Sequence, residues 1–251
     1  GQIFTTLAPI WGGSSTIPVR PEIGLIAFWD LIHGNSITWT LGMGSHIYFL
    51  LSNDIEVKNN HSLKGILVGG MKLNNRKREQ FEEKYNTAIY ITYGLTETTS
   101  FATCETPDIN KINGSVGKNL SVNEIKIKKS GIEKDEGEIL IRGDNVFVSY
   151  QKDKKLTETK KIKGWLHTGD IGYLDKEGNL FITDRKDNLI IVSGENVYPS
   201  EIEQYINLLP EIYEAIVIGA KHEIKGMELA LIYSLNASSK ININVWKKIL
   251  L

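Results

Sequence analysis

Apolar residues fall along this chain either in short continuous runs or at helical spacing, and the two patterns predict different elements. Residues 63–68 and 88–91 are apolar runs of the kind found in strands buried on both faces. Between them, residues 74–85 are charged, with apolar positions only at Leu73, Phe81 and Tyr85, which predicts a surface helix. Strand, helix and strand at this spacing predict a parallel βαβ unit, and ligands favour the carboxyl ends of such strands. The first strand runs into Gly69-Gly70, and the second into Tyr93-Gly94-Leu95-Thr96-Glu97-Thr98.

Upstream, residues 5–16 read as a strand ending in a Gly/Ser loop. Pro21 and Glu22 suit a first helical turn, Ile23, Ile26, Ala27 and Leu31 repeat along it, and Gly34 ends it. Residues 36–40 predict a strand, 45–51 a short helix, and 53–62 a polar loop. Trp39 and Met43 are candidates to line a pocket, or plain core. Downstream, residues 123–128 and 137–143 alternate as half-buried strands do, and the lysine-rich 152–163 predicts a solvated helix or loop. Residues 171–174 and 180–183 flank the turn Asp175-Lys176-Glu177-Gly178-Asn179 and predict a hairpin. Ser200 and Glu203 stand in capping-box spacing, Ile202, Tyr205, Ile206 and Leu209 follow at helical spacing, and Pro210 stops the run. Residues 214–220 and 228–235 predict two more strands, and 241–251 the start of a helix.

Composition narrows the function classes. The 251 residues are 41% hydrophobic and 24% charged, ordinary for a globular protein. A net charge of −1 gives no electrostatic case for nucleic acid or an anionic membrane. No uncharged run reaches the roughly 18 apolar residues of a membrane span, so no integral membrane contact is expected. The single cysteine, Cys104, rules out an internal disulfide and suits a reducing compartment, so the expected location is cytoplasmic. His167 reads as packing, since no nucleophile or metal-ligand spacing accompanies it.

Three stretches carry candidate chemistry. In Tyr93-Gly94-Leu95-Thr96-Glu97, the aromatic ring can stack on a purine and Gly94 lets backbone come close. The Thr96 hydroxyl can donate to a phosphate oxygen, and the Glu97 carboxylate is a hard ligand that suits Mg²⁺. The same residues also fit an ordinary strand-to-loop turn. In Trp165-Leu166-His167-Thr168-Gly169-Asp170, a carboxylate at the tip of a Gly-bearing turn can accept both hydroxyls of a ribose, or cap its own backbone. The third stretch is Arg185-Lys186-Asp187, followed by Ile190-Ile191-Val192-Ser193-Gly194-Glu195-Asn196-Val197-Tyr198-Pro199-Ser200-Glu201-Ile202-Glu203.

Together these stretches resemble the adenylate-forming superfamily of acyl-CoA synthetases, luciferases and peptide-synthetase adenylation domains. The third looks like that family's hinge between a large and a small domain, and Gly137 to Gly143 is similar to one of its strands. The implied fold is α/β: a large nucleotide- and acyl-binding domain over residues 1–186, with a parallel sheet and a small barrel-like subdomain, then a small mobile α+β domain over 187–251. The implied activity is ligation of a carboxylic acid, fatty-acid-like, to CoA through an acyl-adenylate. ATP and AMP, Mg²⁺ and CoA are the implied cofactors and co-substrates, and small-molecule carboxylic acids the partners. A peptide-synthetase-type adenylation domain and a non-catalytic nucleotide-binding remnant are the alternatives.

Residue by residue, the resemblance places Gly69, Gly70, Tyr93 and Gly94 beside the adenine and the carboxylate. It places Thr96 at phosphate and Glu97 at Mg²⁺, with Thr96 and Glu97 as the catalytic pair. Asp170 and Arg185 fall at the ribose, Ile182 in the nucleotide-binding set, Asp187 at the pivot, and Gly194 and Glu195 beside the pantetheine arm of CoA. Two family segments have no match within these residues: the Ser/Thr/Gly-rich phosphate loop, expected before residue 1, and the segment bearing the adenylation lysine, expected after residue 251. The chain therefore reads as an interior piece of a longer enzyme, inactive by itself.

Overall fold

The computed structural model describes residues 6–53, 61–108, 111–129, 135–192, 195–222 and 226–235. The first elements are α1 (Ala8–Trp11), α2 (Pro21–Gly24), α3 (Phe28–Asn35), β1 (Trp39–Met43), α4 (Gly44–Ser52), β2 (Gly65–Gly69), α5 (Asn75–Tyr85) and β3 (Ala88–Tyr93). A short 3-10 turn, Thr96–Thr98, leads to β4 (Thr103–Cys104) and β5 (Lys118–Asn119). Then come β6 (Asn123–Lys129), β7 (Gly137–Gly143), α6 (Lys154–Lys160), β8 (Lys161–Ile162), β9 (Trp165–Leu174) and β10 (Leu180–Arg185). A second 3-10 turn, Lys186–Asn188, precedes β11 (Ile190–Val192), β12 (Glu195–Val197), α7 (Pro199–Ile206), β13 (Ile212–His222) and β14 (Gly226–Leu235).

The expected βαβ unit is present. β1, β2 and β3 pair in parallel, Gly65 opposite Ala88 and Val68 opposite Ile91, and β4 and β5 extend the sheet antiparallel. Asn74 caps α5 by accepting from Arg76 and Lys77 N–H. Arg78 fastens that helix to the sheet with two bonds to Glu105, at 3.1 and 2.7 Å, and one to the Ile89 carbonyl at 2.7 Å. Both charged side chains are buried, and each satisfies the other. Trp29, Ile47, Ile66, Val68, Phe81 and Ile89 form the core around this unit. A second sheet runs in the order β10-β9-β7-β6, its core built from Tyr93, Ala102, Ile139, Ile141, Leu166 and Leu180. The expected hairpin joins β9 to β10, with Asp175 Oδ1 accepting from Glu177 and Asn179 N–H.

The chain divides into two compact units. The first comprises residues 1–128, 139–168 and 173–182, and the second 129–138, 169–172 and 183–251. In the second, β13 and β14 form an antiparallel pair, and Ile206 of α7 is buried with Ile212 and Ala215.

Several local expectations are corrected. The strand expected over residues 5–16 is replaced, within the described residues 6–16, by the helical turn α1. Pro9 has no N–H to give to a ladder and sits comfortably in a first helical turn. The helix expected from Pro21 to Gly34 is broken into α2 and α3 after Gly24, a weak helix former, and Ser36 rather than Gly34 takes the left-handed cap. The strand expected at 36–40 begins only at Trp39. Trp39 and Met43 are exposed by 42% and 49%, so neither is core. The capping box of Ser200 and Glu203 does not form: Ser200 Oγ donates to the Thr183 carbonyl, and Glu203 accepts from Val217 N–H at 2.8 Å. The helix expected at 241–251 lies outside the described residues.

Candidate functional site

Within the first unit, Gly69 ends β2 and Tyr93 ends β3, so the parallel register brings Gly69-Gly70 and Tyr93-Gly94 to the carboxyl ends of adjacent strands. A Cβ on Gly69 would lie 2.5 Å from Thr92 Oγ1. After Gly94 the chain turns back on itself: Ala102 N–H donates to the Tyr93 carbonyl at 2.8 Å, and Ser100 N–H to the Leu95 carbonyl at 3.2 Å. Thr99 and Ser100 take positive φ to close that loop, and a Cβ on Gly94 would fall 2.0 Å from the Ser100 carbonyl oxygen. Glycine is required there by the close passage of backbone, as the sequence implied.

The loop sorts its two outer threonines. Thr98 is buried, and its hydroxyl is committed to the Leu95 backbone. Thr96 is exposed, and its hydroxyl makes no hydrogen bond among the described residues. Glu97 is half-buried: its carbonyl accepts from Phe147 N–H at 2.8 Å, and its Oε1 accepts from the Tyr150 hydroxyl at 2.5 Å. Burial, and then the Glu97 carboxylate, push the Tyr150 phenol up to about 12. The Asn145 side-chain amide donates to the carbonyls of Thr98 and Phe101, and its backbone carbonyl accepts from the Thr99 hydroxyl, so residues 143–150 strap the 95–101 loop. Tyr93 differs from an open stacking platform. It is only 9% exposed and belongs to the core, because the strand's inward positions include its last residue. Ile182 packs half-buried against that same core.

The second unit holds Asp170, Arg185, Asp187 and Glu195. Asp170 was expected at a turn tip, but it lies inside the ten-residue strand β9, and the positive φ of Gly169 deforms the strand just before it. The Asp170 side chain, 9% exposed, faces Arg185, with Oδ1 3.4 Å from the guanidinium Nε. Arg185 thus pairs with Asp170 through its side chain and reaches Asp184 only through its backbone N–H, at 2.6 Å. Asp184 is the organiser of this region. It is buried, it also accepts from Asn188 Nδ2 at 2.8 Å, and its second oxygen accepts from Ser200 N–H at 3.1 Å. The turn that carries exposed Asp187 and the start of α7 are therefore held by one carboxylate. Glu195 opens β12 and is exposed, and Gly194 lies outside the described residues.

Sequence reasoning missed Tyr150 and Asp184. Tyr150 lies just beyond the family-like strand of residues 137–143, where the sequence suggested no role. Asp184 directly precedes Arg185, and its position in the string was the available signal. Among the described residues no three His, Cys, Asp or Glu converge to hold a metal ion, and no helix is long and apolar enough to cross a membrane.

Comparison with known proteins identifies the family. Residues 1–151 match the family model described as AMP-binding enzyme. The 2-succinylbenzoate–CoA ligase of Bacillus mycoides is 41% identical over 170 residues, which is 66% of this chain and 35% of that protein. The o-succinylbenzoate CoA synthetase of Bacillus subtilis has been solved in complex with the acyl-adenylate intermediate OSB-AMP. That structure is 30% identical, with a TM-score of 0.76 over 89% of this chain and 46% of its own. The same synthetase with ATP and magnesium ion is 31% identical, with a TM-score of 0.75 over 90% and 48%. The chain spans about a third of the length of the curated relatives it matches. The acid these relatives' names carry is an aromatic succinyl acid, not a fatty acid. The fold is the mixed α/β architecture of adenylate-forming enzymes, and the chain belongs to the AMP-binding enzyme family.

Proposed function

We propose that the protein containing this chain is an ATP-dependent acid–CoA ligase. In the first step a carboxylate oxygen attacks the α-phosphorus of ATP, giving an acyl-adenylate and releasing pyrophosphate. In the second step the CoA thiol attacks the acyl carbon, the thioester forms, and AMP leaves. The observation that carries this reading is the pair of strand ends: Gly69-Gly70 beside Tyr93-Gly94, with the free Thr96 hydroxyl and the half-buried Glu97 on the loop that follows. Thr96 donates to a phosphate oxygen, and Tyr93 borders the adenine with the rim its burial leaves open. Asp170 accepts from the ribose hydroxyls, with Arg185 holding the carboxylate in place. Ile182 supports the core beneath the nucleotide, Asp187 is the pivot between domains that meet near residue 187, and Gly194 and Glu195 border the pantetheine arm.

The residues present fit a magnesium ion. Glu97 is the one hard carboxylate on the phosphate-facing loop, and Mg²⁺ is commonly bound through one or two carboxylates, with substrate phosphates and water completing an octahedron. When bound, the ion neutralises charge that builds on the phosphates. The protein's share is to hold the Glu97 oxygen toward it.

The test is CoA-ligase turnover of the complete gene product with ATP over a panel headed by 2-succinylbenzoate, followed by other aryl, short, medium and long-chain acids. AMP and an acyl-CoA should form together with one class of acid. Turnover only with amino acids and a carrier protein, or no binding of ATP, AMP or an acyl-adenylate mimic, would overturn it.

A further inference from the structure

We propose that Tyr150 is a positioning residue for Glu97, holding Oε1 so that Oε2 is presented to the metal. This rests on the reading of Glu97 as the magnesium ligand. Tyr150 donates to Oε1 at 2.5 Å, the short end of a charge-assisted O–H···O⁻ bond, while among the described residues Oε2 makes no hydrogen bond. Glu97 is held a second time from the same segment, because Phe147 N–H donates to its carbonyl at 2.8 Å. The strap is itself anchored. The Tyr150 ring packs edge-on against Phe147 at 4.7 Å, Tyr150 N–H donates to Thr157 Oγ1 at 3.0 Å, and Lys161 Nζ donates to the Phe147 carbonyl at 2.7 Å.

Free glutamate samples three side-chain torsions, and ordering such a side chain costs rotamer entropy. A site with a single protein carboxylate gains nothing from neighbouring ligands to fix that geometry, so the orientation of one oxygen decides how well it meets a phosphate-bound ion. The Tyr150 hydroxyl removes that freedom before the nucleotide arrives. Groups that orient a ligand from behind in this way typically change metal affinity about 10–100-fold when removed.

The experiment titrates ATP calorimetrically into the complete gene product, once with EDTA and once with saturating Mg²⁺, for wild type, Tyr150→Phe, Glu97→Gln and the double variant. The quantity read is the factor by which Mg²⁺ tightens ATP binding. Tyr150→Phe should reduce that factor roughly tenfold or more. Its metal-free ATP affinity and melting temperature should stay at the wild-type values, since the ring and its contact with Phe147 remain. On the Glu97→Gln background the second substitution should have no further effect, because the interaction it removes is already changed. An unchanged factor in Tyr150→Phe, where Glu97→Gln has lost it, would overturn the positioning role alone. Equal weakening of ATP with and without metal would also overturn it, by making Tyr150 merely a brace for the loop. A Glu97→Gln variant that keeps the full Mg²⁺ effect would overturn the reading of Glu97, and the proposal with it.

Discussion

At the scale of single residues, Asp170 and Arg185 form an unevenly exposed pair. The Asp170 carboxylate is buried inside a strand, yet its ionic partner Arg185 keeps about half of its side chain in solvent and sits at 3.4 Å, longer than a tight bidentate fork. An ion pair of this exposure contributes little to stability, about 0–1 kcal/mol. A carboxylate accepting from ribose hydroxyls contributes roughly 1.5–3 kcal/mol, the usual scale of hydrogen bonds to a charged group. Asp170→Ala in the complete gene product is therefore expected to weaken AMP binding about 10–100-fold with little change in melting temperature, measured by calorimetry beside thermal unfolding. A variant that melts early while its folded fraction binds AMP normally would make Asp170 structural. Of the two proposed nucleotide stretches, the structure bears out one local reading, Gly94, where backbone passes within 2.0 Å of any Cβ. What could not be read was which hydroxyl each loop consumes. Thr96 and Thr98 are alike in sequence, and only the folded loop commits Thr98 to Leu95. Tyr150 was hidden for the same reason, since its partner lies 53 residues away.

At the scale of elements, α7 is started by a group from outside its own sequence. Ser200 and Glu203 have the spacing of a reciprocal cap, but Asp184 supplies the acceptor to Ser200 N–H, which leaves the Ser200 hydroxyl for the Thr183 carbonyl and Glu203 for β13. A local pattern lost to a tertiary contact made by a buried carboxylate, which also favours the positive end of a helix dipole. Asp184→Ala removes acceptors from Arg185 N–H, Asn188 and Ser200 N–H together. Charge-assisted bonds that share one group do not add fully, so the expected loss is about 2–4 kcal/mol. It should appear as a lower midpoint in denaturant unfolding, with faster amide exchange at 185–188 and 199–201. Exchange that stays at wild-type rates in both segments would show that the turn and helix hold without Asp184. The α1 correction has a related cause. The apolar letters of residues 7–11 suit either element, and Pro9 together with a 95% exposed Trp11 decided against a buried strand. The βαβ unit was read correctly because its helix is charged, its strands apolar, and its cap, Asn74, local.

At the scale of the whole molecule, Thr96, Glu97 and Tyr150 lie in the first compact unit, and Asp170, Asp184 and Arg185 in the second. Adenylation builds negative charge on the phosphates and on the attacking carboxylate, and preorganised cationic and N–H groups aimed at that charge supply most of the rate. Within residues 1–251 there is no Ser/Thr/Gly-rich loop ending in Pro-Lys-Gly, and no Walker-type Gly-x-x-x-x-Gly-Lys sequence stands in for it. Arg185 is already engaged with the Asp170 carboxylate. Loss of one preorganised donor typically lowers the rate about 10²–10³-fold, and two independent losses compound. The polypeptide of residues 1–251 is therefore expected to catalyse acid-dependent ATP–pyrophosphate exchange at least about 10⁴-fold more slowly than the complete gene product. Radiolabelled pyrophosphate exchange, run on both with the acid that supports turnover, measures the ratio. Exchange by residues 1–251 within tenfold of the complete protein would mean that Thr96, Glu97, Asp170 and Arg185 suffice for the adenylation step, and that charge on the phosphates is met from within these residues.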